Sequence, residues 1–380
     1  MQIEQPGRRW RYPLLALGML ALLGGLWAGL LRLGWSLEPL QPTLAMLHGP
    51  LMVCGFIGTL ISLERAVALG RPWAYTAPVC TGLGGVLLVA GVGTWHGPLL
   101  VAGGSAMLIA IFAAVLRIQP QAFAVVMALG AVAWLVGNVA WLGGAPVFHV
   151  VPWWLGFLVL TIAGERLELS RMLFHAPRVQ RLFLLFTGLL LAALVVTALV
   201  PDVGMRLVGA ALVALAAWLA RYDVARFTVR QSGLTRFIAV CLLTGYAWLG
   251  VGGVLAAALG GVAAGPGYDA VLHAVFVGFV FSMIFGHAPI IFPSVLGVPI
   301  TYQPLAYGPL ALLHASLVLR LAGDLLLVGG VAGAHPLRAW GGMLNAVAVV
   351  LFLALTVYGI VRGQAAPVPV VFSEGESGRA

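Results

Sequence analysis

The 380-residue chain is 62% hydrophobic and only 8% charged, and its 20 basic residues outnumber 11 acidic ones for a formal net charge of +9. Composition this apolar excludes an ordinary soluble domain and marks a polytopic membrane protein. Every basic residue is Arg, and the arginines gather in loops, so the charge is a membrane-orientation signal and not a nucleic-acid-binding patch.

At about 20 apolar residues per crossing, hydropathy predicts twelve helices, over 12–35, 44–69, 73–94, 98–117, 121–143, 147–172, 180–200, 204–222, 234–259, 268–293, 304–330 and 337–362. The first run has basic flanks but is long for a signal-peptide core and lacks a clean cleavage site. It reads as an uncleaved first span. Cys54, Cys80 and Cys241 all fall in apolar spans with no CxxC spacing, and read as small buried residues. The expected fold is all-α, with one transmembrane domain over 1–363 and a loose cytoplasmic C-terminal tail over 364–380. With the N-terminus cytoplasmic, fifteen arginines between Arg8 and Arg362 fall on the inner side. Arg32, Arg206 and Arg338 fall on the outer side, and Arg320 lies within helix 11. That asymmetry places both termini in the cytoplasm.

Helix 2 reads HGPLMVCGFIGTLISLER and helix 6 reads HVVPWWLGFLVLTIAGER. His48/His149, Gly55-Phe56/Gly156-Phe157 and Glu64-Arg65/Glu165-Arg166 recur 101 residues apart. Helix 10 begins its own version at His273, with Gly278-Phe279 two residues early and no Glu-Arg ending. Three quasi-equivalent groups of four helices follow from this period. In this topology His48, His149 and His273 share one depth near the outer surface. His287 lies roughly 21 Å further along helix 10, and His314 lies in the neighbouring helix 11.

Ionisable residues inside a bilayer point to function or to a specific partner. His48, His149 and His273 are candidate ligands for a bis-histidine haem, a copper ion or both, since neutral imidazole binds both metals. The plain alternative is a histidine bonded to a loop carbonyl at each helix end. His287 and His314 form a candidate second metal or cofactor site nearer the cytoplasm, or they cap and hydrogen-bond locally. Arg320 and Asp324, four residues apart, pair with each other on one helix face, or serve as a haem-propionate partner and a proton relay. Glu64-Arg65 and Glu165-Arg166 read as helix-end anchors and interhelix salt bridges. The chain contains no Walker A, GxSxG, HExxH or CxxCH motif and no dinucleotide fingerprint.

Twelve helices in three groups of four, with histidines on helices 2, 6 and 10, resemble the heme-copper oxidase subunit I fold. Within that superfamily the stretches at His48, His149 and His273 to His287 are similar to the NnrS family of haem- and copper-containing membrane proteins. The resemblance implies b-type haem, a possible copper ion, an electron donor, and a role in nitric-oxide or nitrosative-stress handling at the bacterial inner membrane. It does not extend to oxygen reduction, because helix 10 has no adjacent His-His pair and no His-x-His. On this reading His48 and His273 are axial haem ligands, and His149 is a third ligand or a copper ligand. The alternatives are a proton-coupled small-molecule transporter with a midplane site, and a haem-binding sensor or assembly factor without turnover.

Overall fold

The computed structural model describes residues 8–365 apart from 174, 175 and 299, with backbone alone for 8, 9, 172 and 363–365. His175, the side chains of Arg8 and Arg9, and the expected tail beyond 365 lie outside the described residues. Every regular element among the described residues is helical. Among the described residues, twelve helices are long and apolar enough to cross a membrane. They are α1 (Trp10–Arg32), α2 (Leu44–Leu69), α3 (Pro72–Ala90), α4 (His96–Ile118), α5 (Ala122–Leu142) and α6 (Val147–Ser170). The others are α7 (Pro177–Leu199), α8 (Pro201–Tyr222), α9 (Gly233–Leu259), α10 (Pro266–Leu296), α11 (Pro304–Val328) and α12 (Ala332–Arg362). Their bounds fall within a few residues of those expected from hydropathy.

Local chemistry sets several helix ends. Pro opens α7, α8 and α10 at the first turn, where its missing N–H costs nothing. Gly70, Gly91 and Gly297 close α2, α3 and α10 in the left-handed conformation that a Cβ would oppose. Short connections make chain neighbours pack antiparallel. The three repeat helices, α2, α6 and α10, are the most buried spans. α10 packs on both α2 and α6, and also on α1, α9, α11 and α12. Leucines and valines such as Leu185, Val195 and Val254 stay exposed on the outer helices, as a lipid-facing surface requires.

Two helices depart from α geometry in the same place. α2 is π-helical over Leu51–Gly58, just past His48, and α10 is π-helical over Ala274–Phe281, just past His273. Such wide turns cluster at functional sites. An inserted residue offsets everything on its N-terminal side by about 100° relative to a continuous α-helix. α6 carries no π segment.

At the far end of the bundle, α11 and α12 cross closely. A Cβ on Gly323 would lie 2.5 Å from the backbone nitrogen of Arg338, and one on Gly341 would lie 2.5 Å from that of Arg320. Each glycine thus admits the backbone of an arginine on the opposite helix, a small-residue contact of the kind that lets membrane helices approach.

Twelve crossings bring the start of α1 and the end of α12 to one face. The opposite face, where α2 and α10 begin, is called distal below.

Candidate functional site

At the distal end, α1, α2, α6, α10, α11 and α12 enclose a cavity of about 170 Å³. That is room for on the order of ten waters, or for part of a larger ligand. Its walls are mostly apolar, with Ile57, Phe281 and Val349 among them. His48 and His273 face each other across it, with ring centres 6.0 Å apart and planes within 12° of parallel.

Both rings are oriented through Nδ1. His48 Nδ1 lies 2.8 Å from the Gly25 carbonyl oxygen on α1. His273 Nδ1 lies 2.8 Å from the Asp269 carbonyl oxygen one turn earlier, with a carboxylate oxygen of Asp269 at 3.4 Å. A carbonyl accepts, so Nδ1 carries the proton and donates. In the neutral ring Nε2 then holds a bare lone pair. Neither Nε2 has a hydrogen-bond partner among the described residues. Two nitrogen donors with fixed tautomers therefore share one cavity. Gly29 permits this placement, because a Cβ there would come within 2.8 Å of His48 Nδ1.

A charged cluster closes the distal end. Arg320 donates to both carboxylate oxygens of Asp269, at 2.7 and 2.9 Å. Arg338 lies 3.3 Å from Asp269 and 2.8 Å from Asp324. The contact with Asp324 is close but poorly aligned, so both buried oxygens of Asp324 lack a directed hydrogen bond. Arg32, at the exposed end of α1, makes no ion pair among the described residues. Three guanidiniums against two carboxylates leave one positive charge facing the cavity, whose lining includes Arg32, Arg320 and Arg338. The expected pairing of Arg320 with Asp324 within α11 is thus corrected. Each takes its partner from another helix, Arg320 from Asp269 on α10 and Asp324 from Arg338 on α12.

The remaining candidate histidines lie elsewhere. His149 is exposed and lines a smaller, separate cavity of about 40 Å³. At its level, α6 shows Val147, Val151 and Trp154 to the main cavity instead. His48 and His149 both stand seven residues before their Gly-Phe, yet the π segment in α2 alone rotates His48 inward. His287 spends both nitrogens on protein groups, Nδ1 on the Met283 carbonyl at 2.7 Å and Nε2 near Arg166 at 3.4 Å. His314 accepts from the Trp248 indole at 3.0 Å.

His287 and His314 are not brought together, since no hydrogen bond or ring contact joins them among the described residues. Trp248 packs on Gly278, nine residues and roughly 13 Å along α10 from His287. Among the described residues, no group of three or more His, Cys, Asp or Glu side chains is placed to hold a metal ion.

The repeat motif has a structural end. Arg65 of α2 pairs with Glu165 of α6. Arg166 turns the other way and grips the buried Asp223 at 2.8 and 3.2 Å. Counted from its own Gly-Phe, His287 stands nine residues past Gly278, as Glu64 and Glu165 stand nine past Gly55 and Gly156. It fills the glutamate position of the third repeat. Sequence reasoning missed Asp269, Asp223 and Asn345. Asp269 alone carried a signal, an acid four residues before a histidine in an apolar span. Asn345, in the cavity wall, donates to Leu313 and Ser316, and its oxygen is left without a partner.

Fold and site together define an all-α, multi-pass membrane protein with a half-buried histidine pair beneath an arginine-rich rim. The chain belongs to the family described as Domain of unknown function (DUF8744), whose model matches residues 11–361. No curated protein matches it.

Proposed function

We propose that the protein is a bacterial inner-membrane, histidine-ligated b-type haem protein that acts in nitric-oxide or nitrosative-stress handling. Both termini are cytoplasmic on this reading, and the distal cavity lies near the periplasmic surface. The observation that carries it is the imidazole pair. His48 and His273 would hold the haem through the Nε2 atoms that their Nδ1 hydrogen bonds leave free. The pair stands 6.0 Å apart and nearly parallel. The arginine rim suits the two carboxylates of a haem edge. Because Asp269 already occupies Arg320, and Asp269 and Asp324 both lie against Arg338, Arg32 is the better placed partner. Non-covalent binding follows from the missing CxxCH.

Bound haem would supply a one-electron centre whose potential depends on its ligands and burial. The chain's own groups do the rest. The Gly25 and Asp269 carbonyls fix which nitrogen of each ring is free. Ile57, Phe281 and Val349 keep water from the deep end. The rim orients the ligand by charge. The nitric-oxide role rests on the sequence resemblance.

The test is purification in detergent, oxidised and dithionite-reduced spectra, a pyridine haemochrome assay and metal analysis. A Soret band with reduced α and β bands is expected. The doubly substituted His48→Ala, His273→Ala protein should be colourless, whereas His149→Ala, His287→Ala and His314→Ala should keep their haem. A wild-type preparation that stays colourless after haem is added would sink the proposal.

A further inference from the structure

The two imidazoles are held very differently. His273 ends a regular α segment, Pro266–His273. Its Nδ1 bonds the Asp269 carbonyl within the same helix. Asp269 is in turn fixed by two hydrogen bonds from Arg320 and a contact from Arg338. Three helices thus brace His273.

His48 stands in a three-residue α turn, His48–Pro50, between a 3-10 turn at Leu44–Leu47 and the π segment at Leu51–Gly58. Its hydrogen-bonding register changes on both sides. Gly49 follows it with maximal backbone freedom, and Pro50 lacks an N–H. One hydrogen bond, to Gly25 on another helix, orients the ring. Among the described residues no charged side chain bonds to it.

From this asymmetry we infer that His48 is a displaceable ligand and His273 a fixed one. Resting on the haem reading, this gives the site a latent open position for a neutral diatomic gas. The His48 Nε2–iron bond breaks, the iron–gas bond forms in its place, and no electron is transferred in the exchange. The freed imidazole keeps its Nδ1 proton and its bond to Gly25 is the hinge that must yield. A bis-histidine site built for electron transfer alone has no need of one loosely held ligand.

The experiment uses the full-length protein in detergent, reduced with dithionite, with carbon monoxide as the probe. His48→Ala should keep near-stoichiometric haem in a five-coordinate form and bind carbon monoxide at least about tenfold faster than the wild type, since no imidazole must leave first. His273→Ala should lose most of its haem. Equal loss, equal retention or the reverse order would overturn the inference while leaving the haem reading intact. A wild type without haem would overturn both.

A second measurement does not depend on removing a ligand. In the wild type the binding rate should saturate at high carbon monoxide, at the rate of His48 departure. Gly49→Ala should lower that plateau, because it stiffens the turn, and a Cβ there meets only Trp154 at 3.9 Å. A plateau unchanged by Gly49→Ala, or no saturation at all, would count against a displaceable His48.

Discussion

Asp269 joins the site's two halves, one oxygen beside His273 and both in the grip of Arg320. Removing one partner of a buried pair leaves the other charge uncompensated, at a cost of about 3–5 kcal/mol. Asp269→Ala should therefore lower the thermal unfolding midpoint of the purified protein markedly, and Arg320→Met combined with it should recover part of the loss. At the opposite face Asp223 holds Arg166 with no exposure to solvent, and Asp223→Ala should cost a similar amount by the same measurement. An unchanged midpoint in either variant would mean that water reaches the remaining arginine. These acids also show where sequence reading stops. His48 and His273 stand out because an imidazole in an apolar span is rare. Arg320 and Asp324 read as a pair along one helix because one-dimensional spacing offers only neighbours. Asp269 and Arg338, 51 and 14 residues away from Arg320 and Asp324, become partners only when three helices meet.

At the scale of elements, the π segments decide which histidines face inward. Deleting one residue between Leu51 and Gly58 should restore continuous α geometry and swing His48 away by about 100°. The reduced spectrum should then resemble that of five-coordinate His48→Ala, with membrane insertion unaffected. A deletion that leaves the wild-type spectrum would show that the π segment absorbs the change elsewhere. The helices themselves were legible from hydropathy to within a few residues, and so was the recurrence of histidine and Gly-Phe on α2, α6 and α10, with Glu-Arg on the first two. The rotation of His149 out of the cavity was not, because α2 and α6 have identical spacing and differ only in hydrogen-bonding register. The reciprocal glycines of α11 and α12 make a related point. Gly341→Ala would drive a methyl group into the backbone of Arg320, so it should part the helices and loosen the arginine rim, seen as weakened haem retention on dilution.

For the molecule as a whole, the arginine asymmetry is the coarse signal and its exceptions are the informative part. Arg206 is held by Asp202 at 3.0 Å on its own helix. Arg32, Arg320 and Arg338 all line the distal cavity. In a cysteine-free background, Glu38→Cys should react with a membrane-impermeant thiol reagent on intact cells, and Ser232→Cys should react only after lysis. The reverse pattern would invert the topology. The cavity wall also has an order in time. Its parts come from α1 and α2 at one extreme of the described chain and from α11 and α12 at the other. During synthesis the first walls enter the membrane long before the last, and Arg338 and Asn345 emerge only with the twelfth span. No pocket exists until that span has been inserted and has docked on α11. Whatever fills the cavity must arrive after translation has passed this point, and it then clasps the first helix to the last.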